Sequence, residues 1–395
     1  MNVAAIVCEY NPMHGGHIYQ MEKTRAYLGE NTPVICVMSG NYVQRGDFAL
    51  FDKFTRARCA VMAGADLVIE LPLPWSIGSS EQFASGAIHI INSLGVCTHL
   101  SFGSESTSSV PLNDIASALL SPDIDAEIKS ELSSGISYAA ARQRAVEKIL
   151  GASAEIMRSP NNILGIEYIK TLKKLKSDIQ PLAIHREGAE HDSMEGQSSS
   201  YIREMIKNGE PIEDYIPEPI CDILSSEMRK GRGPVYMDGA DMAIMARLRS
   251  MTEGEYANLP YGGEGLYMRL MRAAKEYGTV REVLDAVKTK RYTYARIRRM
   301  VMCAYLGIRK WDYDMTPPYA RVLAMNMVGR RLLAEMKKTA AIPVITKPSK
   351  VRDLGDDANY IFDLGARATD LYTLLYENPD ARVGDTEYTT SPYAY

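Results

Sequence analysis

A chain of 395 residues is too long for one small core, and domains of about 100–200 residues predict two or three of them. The 46% hydrophobic and 24% charged content is that of a globular protein, and a net charge of −4 excludes a polyanion binder that works by bulk charge. Any nucleic-acid surface must therefore be a local patch. The six cysteines stand singly, which signals neither a zinc site nor a redox motif and predicts a reducing, cytoplasmic setting. No run approaches the roughly 18 apolar residues that span a bilayer. Residues 1–10 read as a strand cut off by Asn11-Pro12, not as a signal peptide.

Short apolar runs at 3–8, 34–38, 67–69 and 99–102 have strand length, and helical stretches at 18–28, 51–63 and 81–94 lie between them. Phe54, Ala57, Val61 and Ala65 recur at roughly helical spacing, and Gly64 and Gly95 stand where helices should stop. Strand alternating with helix at this period predicts a doubly wound, Rossmann-like α/β domain whose ligands bind beyond the carboxyl ends of the strands. Residues 112–175 are mostly helical, 179–185 suit a further strand, and 198–208 suit a helix capped by serines. Pro217 and Pro219 suggest a boundary, giving a nucleotide domain over 1–215. A mainly helical region over 216–376 follows, with helices around 241–249, 264–276, 280–287, 294–306 and 319–337. The tail, 377–395, is polar and poor in aliphatics, and disorder is expected there.

The first strand runs into Asn11-Pro12-Met13-His14-Gly15-Gly16-His17, and a helix follows. This aims a helix N-terminus, with its N–H groups and partial positive charge, at the strand's carboxyl edge. Gly15 and Gly16 allow a phosphate to approach the backbone, and two histidines three apart can donate to oxygens of a transferring phosphoryl group. His-x-x-His alone is a weak signal; the strand–turn–helix context makes it a phosphate-site hypothesis. There is no G-x-x-x-x-G-K-[ST] loop, no G-x-G-x-x-G after a strand and no G-x-S-x-G elbow.

The turn His14-Gly15-Gly16-His17 resembles the HxGH signature of the nucleotidyltransferase superfamily, which includes class I aminoacyl-tRNA synthetases. Further blocks narrow the resemblance. Ser39-Gly40-Asn41-Tyr42-Val43-Gln44-Arg45-Gly46-Asp47 and Asp66-Leu67-Val68-Ile69-Glu70-Leu71-Pro72 look like the bacterial tRNA(Met) cytidine acetate ligase family. So do Phe102-Gly103-Ser104-Glu105, Pro160-Asn161-Asn162-Ile163-Leu164-Gly165 and Lys288-Thr289-Lys290-Arg291-Tyr292-Thr293. The resemblance runs in order from residue 3 to about residue 335. It implies that ATP, accompanied by Mg2+, and acetate form acetyl-adenylate with release of pyrophosphate. The wobble cytidine of elongator tRNA(Met) then takes the acetyl group on N4, giving N4-acetylcytidine and AMP; acetyl-CoA is not the donor. Phe48 stands where proline is common, and Met13 and Gly15 are not the commonest choices, but no chemical group is lost.

The resemblance implies catalytic roles for His14 and His17. It also implies ATP contacts from Val7, Cys8, Glu9, Tyr10, Asn11, Pro12, Met13, His14, Gly15, Gly16, His17, Gly103, Asn162 and Arg186. Read from the residues alone, Gly103 is as readily a turn glycine, Asn161 or Asn162 a helix cap, and Arg186 a surface ion pair. Ser198-Ser199-Ser200-Tyr201-Ile202-Arg203 matches the superfamily's second phosphate motif, apart from the bulky Tyr201, and makes Ser199, Ser200 and Arg203 phosphate candidates. Gln44, Arg45 and Asp47 follow the second strand at the same sheet edge, where a guanidinium suits a phosphate or the acetate carboxylate. An Arg45–Asp47 salt bridge would explain that pair equally well. No metal-ligand set of the protein's own stands out.

Residues 286–310 hold eight basic residues and no acid, and removing those charges from the net of −4 leaves −12 for the rest. Such a positive island is the footprint of a phosphate-backbone binder. It makes Lys288, Lys290, Arg291, Arg296, Arg298 and Arg299 the candidate tRNA contacts, with Tyr292 and Tyr294 to stack on bases. Lys173, Lys174 and Lys176 read as a solvated helix end. Two other readings keep parts of this pattern: a small-molecule adenylyltransferase needing no RNA surface, and a non-catalytic module that binds ATP and tRNA.

Overall fold

A computed structural model of the chain describes residues 1–106, 108–185 and 198–395. The early strands are β1 (Ala4–Cys8), β2 (Val34–Ser39), a two-strand ribbon of β3 (Tyr42–Val43) and β4 (Asp47–Phe48), β5 (Leu67–Leu71), β6 (His99–Ser104) and β7 (Gln180–His185). β1, β2 and β5 are apolar at nearly every position because both faces are covered. Val3, Ala5, Ile35, Val37, Leu67 and Ile69 enter one core, and Ala4, Ile6, Val34, Cys36 and Val68 enter the other. That is the signature of a parallel sheet between two helical layers.

One layer is α1 (Gly15–Leu28) and α2 (Lys53–Met62), joined by α8 (Ser199–Asn208) and α9 (Glu218–Arg229). The other holds α3 (Ser80–Ser93), α4 (Val110–Ala118), α5 (Ile124–Leu132), α6 (Tyr138–Leu150) and α7 (Pro160–Lys174). From β1 the chain winds outward through β2 to β5, then crosses by α3 to β6 on the other side of β1. The order therefore reverses between β1 and β6, and a crevice opens at their carboxyl ends. α9 packs on α2 within the sheet's own layer. The proline pair thus heads a helix that packs in the same layer as α2.

Beyond it, α10 (Asp241–Ser250), α11 (Glu253–Ala257), α12 (Leu266–Glu276), α13 (Val280–Val287) and α14 (Tyr294–Leu306) build a separate apolar core. The ribbon docks into that core. Tyr42 donates its hydroxyl to Ala368 O at 2.7 Å, and the Phe48 ring lies against Tyr305 and Tyr372.

Two expectations are corrected. Residues 320–325, expected to open a helix, form β8 (Ala320–Met325), antiparallel to β5; α15 (Met327–Thr339) begins only after Asn326, which caps it. The run Ala-Arg-Val-Leu-Ala-Met fits either state locally, and the otherwise unpaired edge of β5 decides it. β8 also pairs with β9 (Val344–Ile345), and α16 (Asp356–Thr373) follows. The polar tail is ordered too: α17 (Thr386–Thr389) leads to β10 (Tyr393–Ala394), which pairs with β8. Among the described residues the main sheet has eight strands, three of them from beyond residue 319. No helix of the described residues is long and apolar enough to cross a membrane.

The tail is held by charge. Glu387, 1% exposed, pairs with both Lys53 of α2 and Arg321 of β8, while Lys53 Nζ also lies 2.7 Å from Glu70 Oε1 on β5. Two cations and two carboxylates thus balance inside the sheet. Glu387→Ala should lower the unfolding free energy by about 3–5 kcal/mol, because it leaves two buried cations sharing one carboxylate. Urea denaturation checks this, and a loss below about 1 kcal/mol, the range of an exposed pair, would show that the cluster is solvated.

Candidate functional site

The HGGH turn closes on itself. His14 is the N-cap of α1, and its Nδ1 accepts from Gly16 N at 3.1 Å. His17, one turn on, accepts from His14 N through its own Nδ1 at 3.2 Å. These bonds assign both rings as neutral tautomers with the proton on Nε2. The rings lie 3.9 Å apart between centroids, His14 buried and His17 half-buried. A Cβ at Gly16 would sit 3.0 Å from the His14 ring, so a larger residue there would crowd that ring. Gly15 faces open space within 4 Å, and its backbone N–H donates to Tyr215 O at 3.3 Å.

Tyr10 has left-handed backbone, φ 45°, a strain of about 1–3 kcal/mol of the kind found at functional sites. Its buried ring meets His17 edge-on at 4.9 Å, and its hydroxyl lies 3.3 Å from Cys36 Sγ. Burial pushes the Cys8 thiol well up, so it is no nucleophile. Asn11 Oδ1 accepts from Leu50 N at 2.7 Å, Met13 is buried, and Val7 is half-buried at the end of β1.

Glu9 follows β1 directly, with Oε1 accepting from Gln44 N at 2.6 Å. Burial raises its carboxyl above the usual range, opposed by that N–H and by the guanidinium groups of Arg56, Arg45 and Arg203. Arg56, fully buried, was not singled out by the sequence reading. It donates to Phe51 O, Glu9 O, Ser39 O and Gly40 O, and so ties the carboxyl ends of β1 and β2 together. Its only local signal was a charge on an otherwise core-facing helix. Arg45 is exposed and has no hydrogen bond or ion pair among the described residues. The Arg45–Asp47 bridge is not formed, because Asp47 pairs with Arg298.

The head of α8, where a second phosphate motif was expected, comes to the same turn. Ser199 Oγ donates to Pro12 O at 3.1 Å, and Arg203 donates to Asn11 O at 3.1 Å and to Ser200 Oγ at 3.2 Å. Gly103 lies half-buried on β6, across the crevice from β1. Asn162, expected at the nucleotide, stands at the end of β6: Oδ1 accepts from Ser104 Oγ at 2.7 Å and Glu105 N at 3.1 Å, and Nδ2 donates to Ile156 O. Buried to 3% exposure, it secures the end of β6. Arg186 lies outside the described residues.

Part of the basic island is paired in three dimensions. Arg291 makes a forked pair with Glu264, which also lies 3.7 Å from Arg296. Arg298 pairs with Asp47, and Arg299 covers the Tyr261 ring and donates to Gln44 O at 3.4 Å. Tyr292 is 7% exposed with its hydroxyl on Glu264 O, so stacking on a base is corrected for Tyr292. Tyr294 stays half-exposed, and Lys288 and Lys290 are exposed. Among the described residues no group of three or more His, Cys, Asp or Glu is arranged to hold a metal.

The model of the HIGH nucleotidyl transferase family matches residues 1–387. A tRNA(Met) cytidine acetate ligase of Acetivibrio thermocellus is 38% identical over 98% of this chain and 99% of its own. One of Fervidobacterium nodosum is 35% identical over 98% of each. The crystal structure of Thermotoga maritima TmcAL bound with alpha-thio ATP matches with a TM-score of 0.94 at 30% identity, covering 100% of this chain and 99% of that one. Likeness of this extent, in sequence and in fold, leaves one assignment: the chain belongs to the tRNA(Met) cytidine acetate ligase family of the HIGH nucleotidyl transferases.

Proposed function

We propose that this protein is an ATP-dependent acetate ligase that acetylates N4 of the wobble cytidine of elongator tRNA(Met). The observation that carries the reading is the intact histidine turn at the head of α1, with both rings set as Nε2–H donors, in a chain of this family. An acetate oxygen attacks the α-phosphorus of ATP, and the bond to pyrophosphate breaks. His14 and His17 stabilise the charge that builds on the phosphoryl oxygens, so no covalent enzyme intermediate is needed. Ser199, Ser200 and Arg203 hold the departing phosphates, and Arg45 meets acetate or phosphate.

The cytidine amine then attacks the acetyl carbonyl of the adenylate, releasing AMP and, to water, a proton. Mg2+ travels on the triphosphate oxygens. Glu9 suits a cation poorly, faced as it is by Arg45, Arg56 and Arg203. Lys288, Lys290, Arg309 and Lys310 are the exposed basic residues of the segment and the ones open to the RNA backbone, whereas Arg291, Arg296, Arg298 and Arg299 are half-buried and also hold contacts within the protein. Six free cysteines, five of them buried, fit a cytoplasmic protein.

Incubated with ATP, radiolabelled acetate and unmodified elongator tRNA(Met), the protein should put label into N4-acetylcytidine of the digested RNA. The label should require ATP and vanish with His17→Ala; folded, ATP-binding protein that leaves the RNA unlabelled refutes the ligase reading.

Capping and chemistry separate at His14. Asn is also a good N-cap, so His14→Asn should keep thermal stability within about 0.5 kcal/mol. Acetate-dependent exchange of pyrophosphate into ATP should nevertheless fall about 100- to 1,000-fold. Full exchange activity in a stable His14→Asn would remove His14 from the chemistry.

A further inference from the structure

A cleft of about 290 Å³ lies between α8 and the α13–α14 pair, with β4 as part of its wall. Its lining comes from both halves of the molecule: Arg203 and Lys207 from the phosphate-motif helix, Arg281 and Leu284 from α13, Tyr294 and Arg298 from α14. Arg203 also reaches the histidine turn, donating to Asn11 O at 3.1 Å, so the cleft and the ATP site share a wall. The sequence reading did not single out Lys207 or Arg281.

We infer that this cleft receives a single pyrimidine ribonucleotide of the RNA, the one to be acetylated, with its base along Tyr294 and its phosphate against Arg281. The inference rests on the ligase reading. The chemistry demands such a place, because a base whose exocyclic amine is modified must leave its stack and enter the protein. The volume sits at the small end of the roughly 300–1,000 Å³ of pockets that hold one organic ligand.

The charges fit an anionic ligand. Asp47 is paired with Arg298 and Asp238 with Lys207, while Asp241 Oδ1 accepts from Val280 N at 2.7 Å. Arg281 is exposed and has no hydrogen bond or ion pair among the described residues, so its charge is left for a phosphate. Tyr294, half-exposed and tethered through its hydroxyl to Asp285 at 3.0 Å, offers a fixed ring of the kind that stacks on unpaired bases.

Two assays on the full-length protein test this. Acetate-dependent exchange of pyrophosphate into ATP needs no RNA and reports the first half-reaction alone; its absence in the unaltered protein would strike the ligase reading, not the cleft. Given exchange, Arg281→Ala and Tyr294→Ala should each leave it within twofold. Each should lower kcat/KM for an unmodified tRNA(Met) transcript about tenfold or more, the loss expected of one phosphate or stacking contact. Arg281→Ala should also make the slope of log affinity against log salt shallower by about one. Tyr294→Phe, which keeps the ring and loses the tether, should retain transfer. Transfer within twofold of the parent in both alanine variants, or an unchanged salt slope in Arg281→Ala, overturns the proposal.

Discussion

Two imidazole nitrogens hold the first turn of α1, each accepting a backbone N–H, and the turn between β1 and α1 is arranged around that constraint. An acceptor at Nδ1 leaves the proton at Nε2, so the bonds that cap the helix also fix what the rings can give to a phosphate. The strained Tyr10 backbone and the Tyr10 ring against His17 belong to the same arrangement. Ser199 and Arg203 then donate to carbonyls of residues 12 and 11, which joins the head of α8 to the histidine turn through the backbone. Positioning of this kind suits a reaction in which the protein orients reactants and meets developing charge rather than forming bonds of its own.

Around the turn the chain uses segments far apart in sequence. Arg56 gathers carbonyls from the ends of β1 and β2. Glu387 reaches back to Lys53, only three residues before Arg56, and to Arg321 on β8. The C-terminal segment is therefore part of the scaffold beneath the site. The ribbon after β2 makes the other long-range joint. Gly46, at φ 71°, lies so close to α14 that a Cβ would come within 2.6 Å of Arg299 N, and Asp47 beside it pairs with Arg298. A turn that follows the second strand thereby fixes where the helical core sits relative to the ATP crevice.

Charge reads differently along the chain and in space. The segment 286–310 is a positive island in sequence, and Glu264 and Asp47, from outside it, pair with Arg291, Arg296 and Arg298. What remains exposed and without an ion pair among the described residues is Lys288 and Lys290 beyond α13, Arg309 and Lys310 beyond α14, and Arg281 on α13 itself. The unpaired cations are thus fewer than the segment's composition suggests, and one of them lies outside the segment.

The alternation of short strands and helices, the doubly buried apolar strands and the histidine turn between β1 and α1 were legible in the sequence. Each is a local pattern whose physical cause lies within a few residues. The state of 320–325 was not: its apolar run suits helix or strand, and the exposed edge of β5, some 250 residues earlier, decided it. The ordered tail was hidden for a similar reason, since Glu387 becomes a core residue only when Lys53 and Arg321 are brought to meet it. Asn162 and the arginines of α14 carry groups suited to ligands, and only the tertiary structure showed which protein partners they also meet. Sequence by itself determined the chemical groups and the local geometry that sets the histidine rings. Tertiary structure decided which of the other polar groups are spent on holding the fold, because a charge or amide is committed by whatever lies within hydrogen-bonding reach of it.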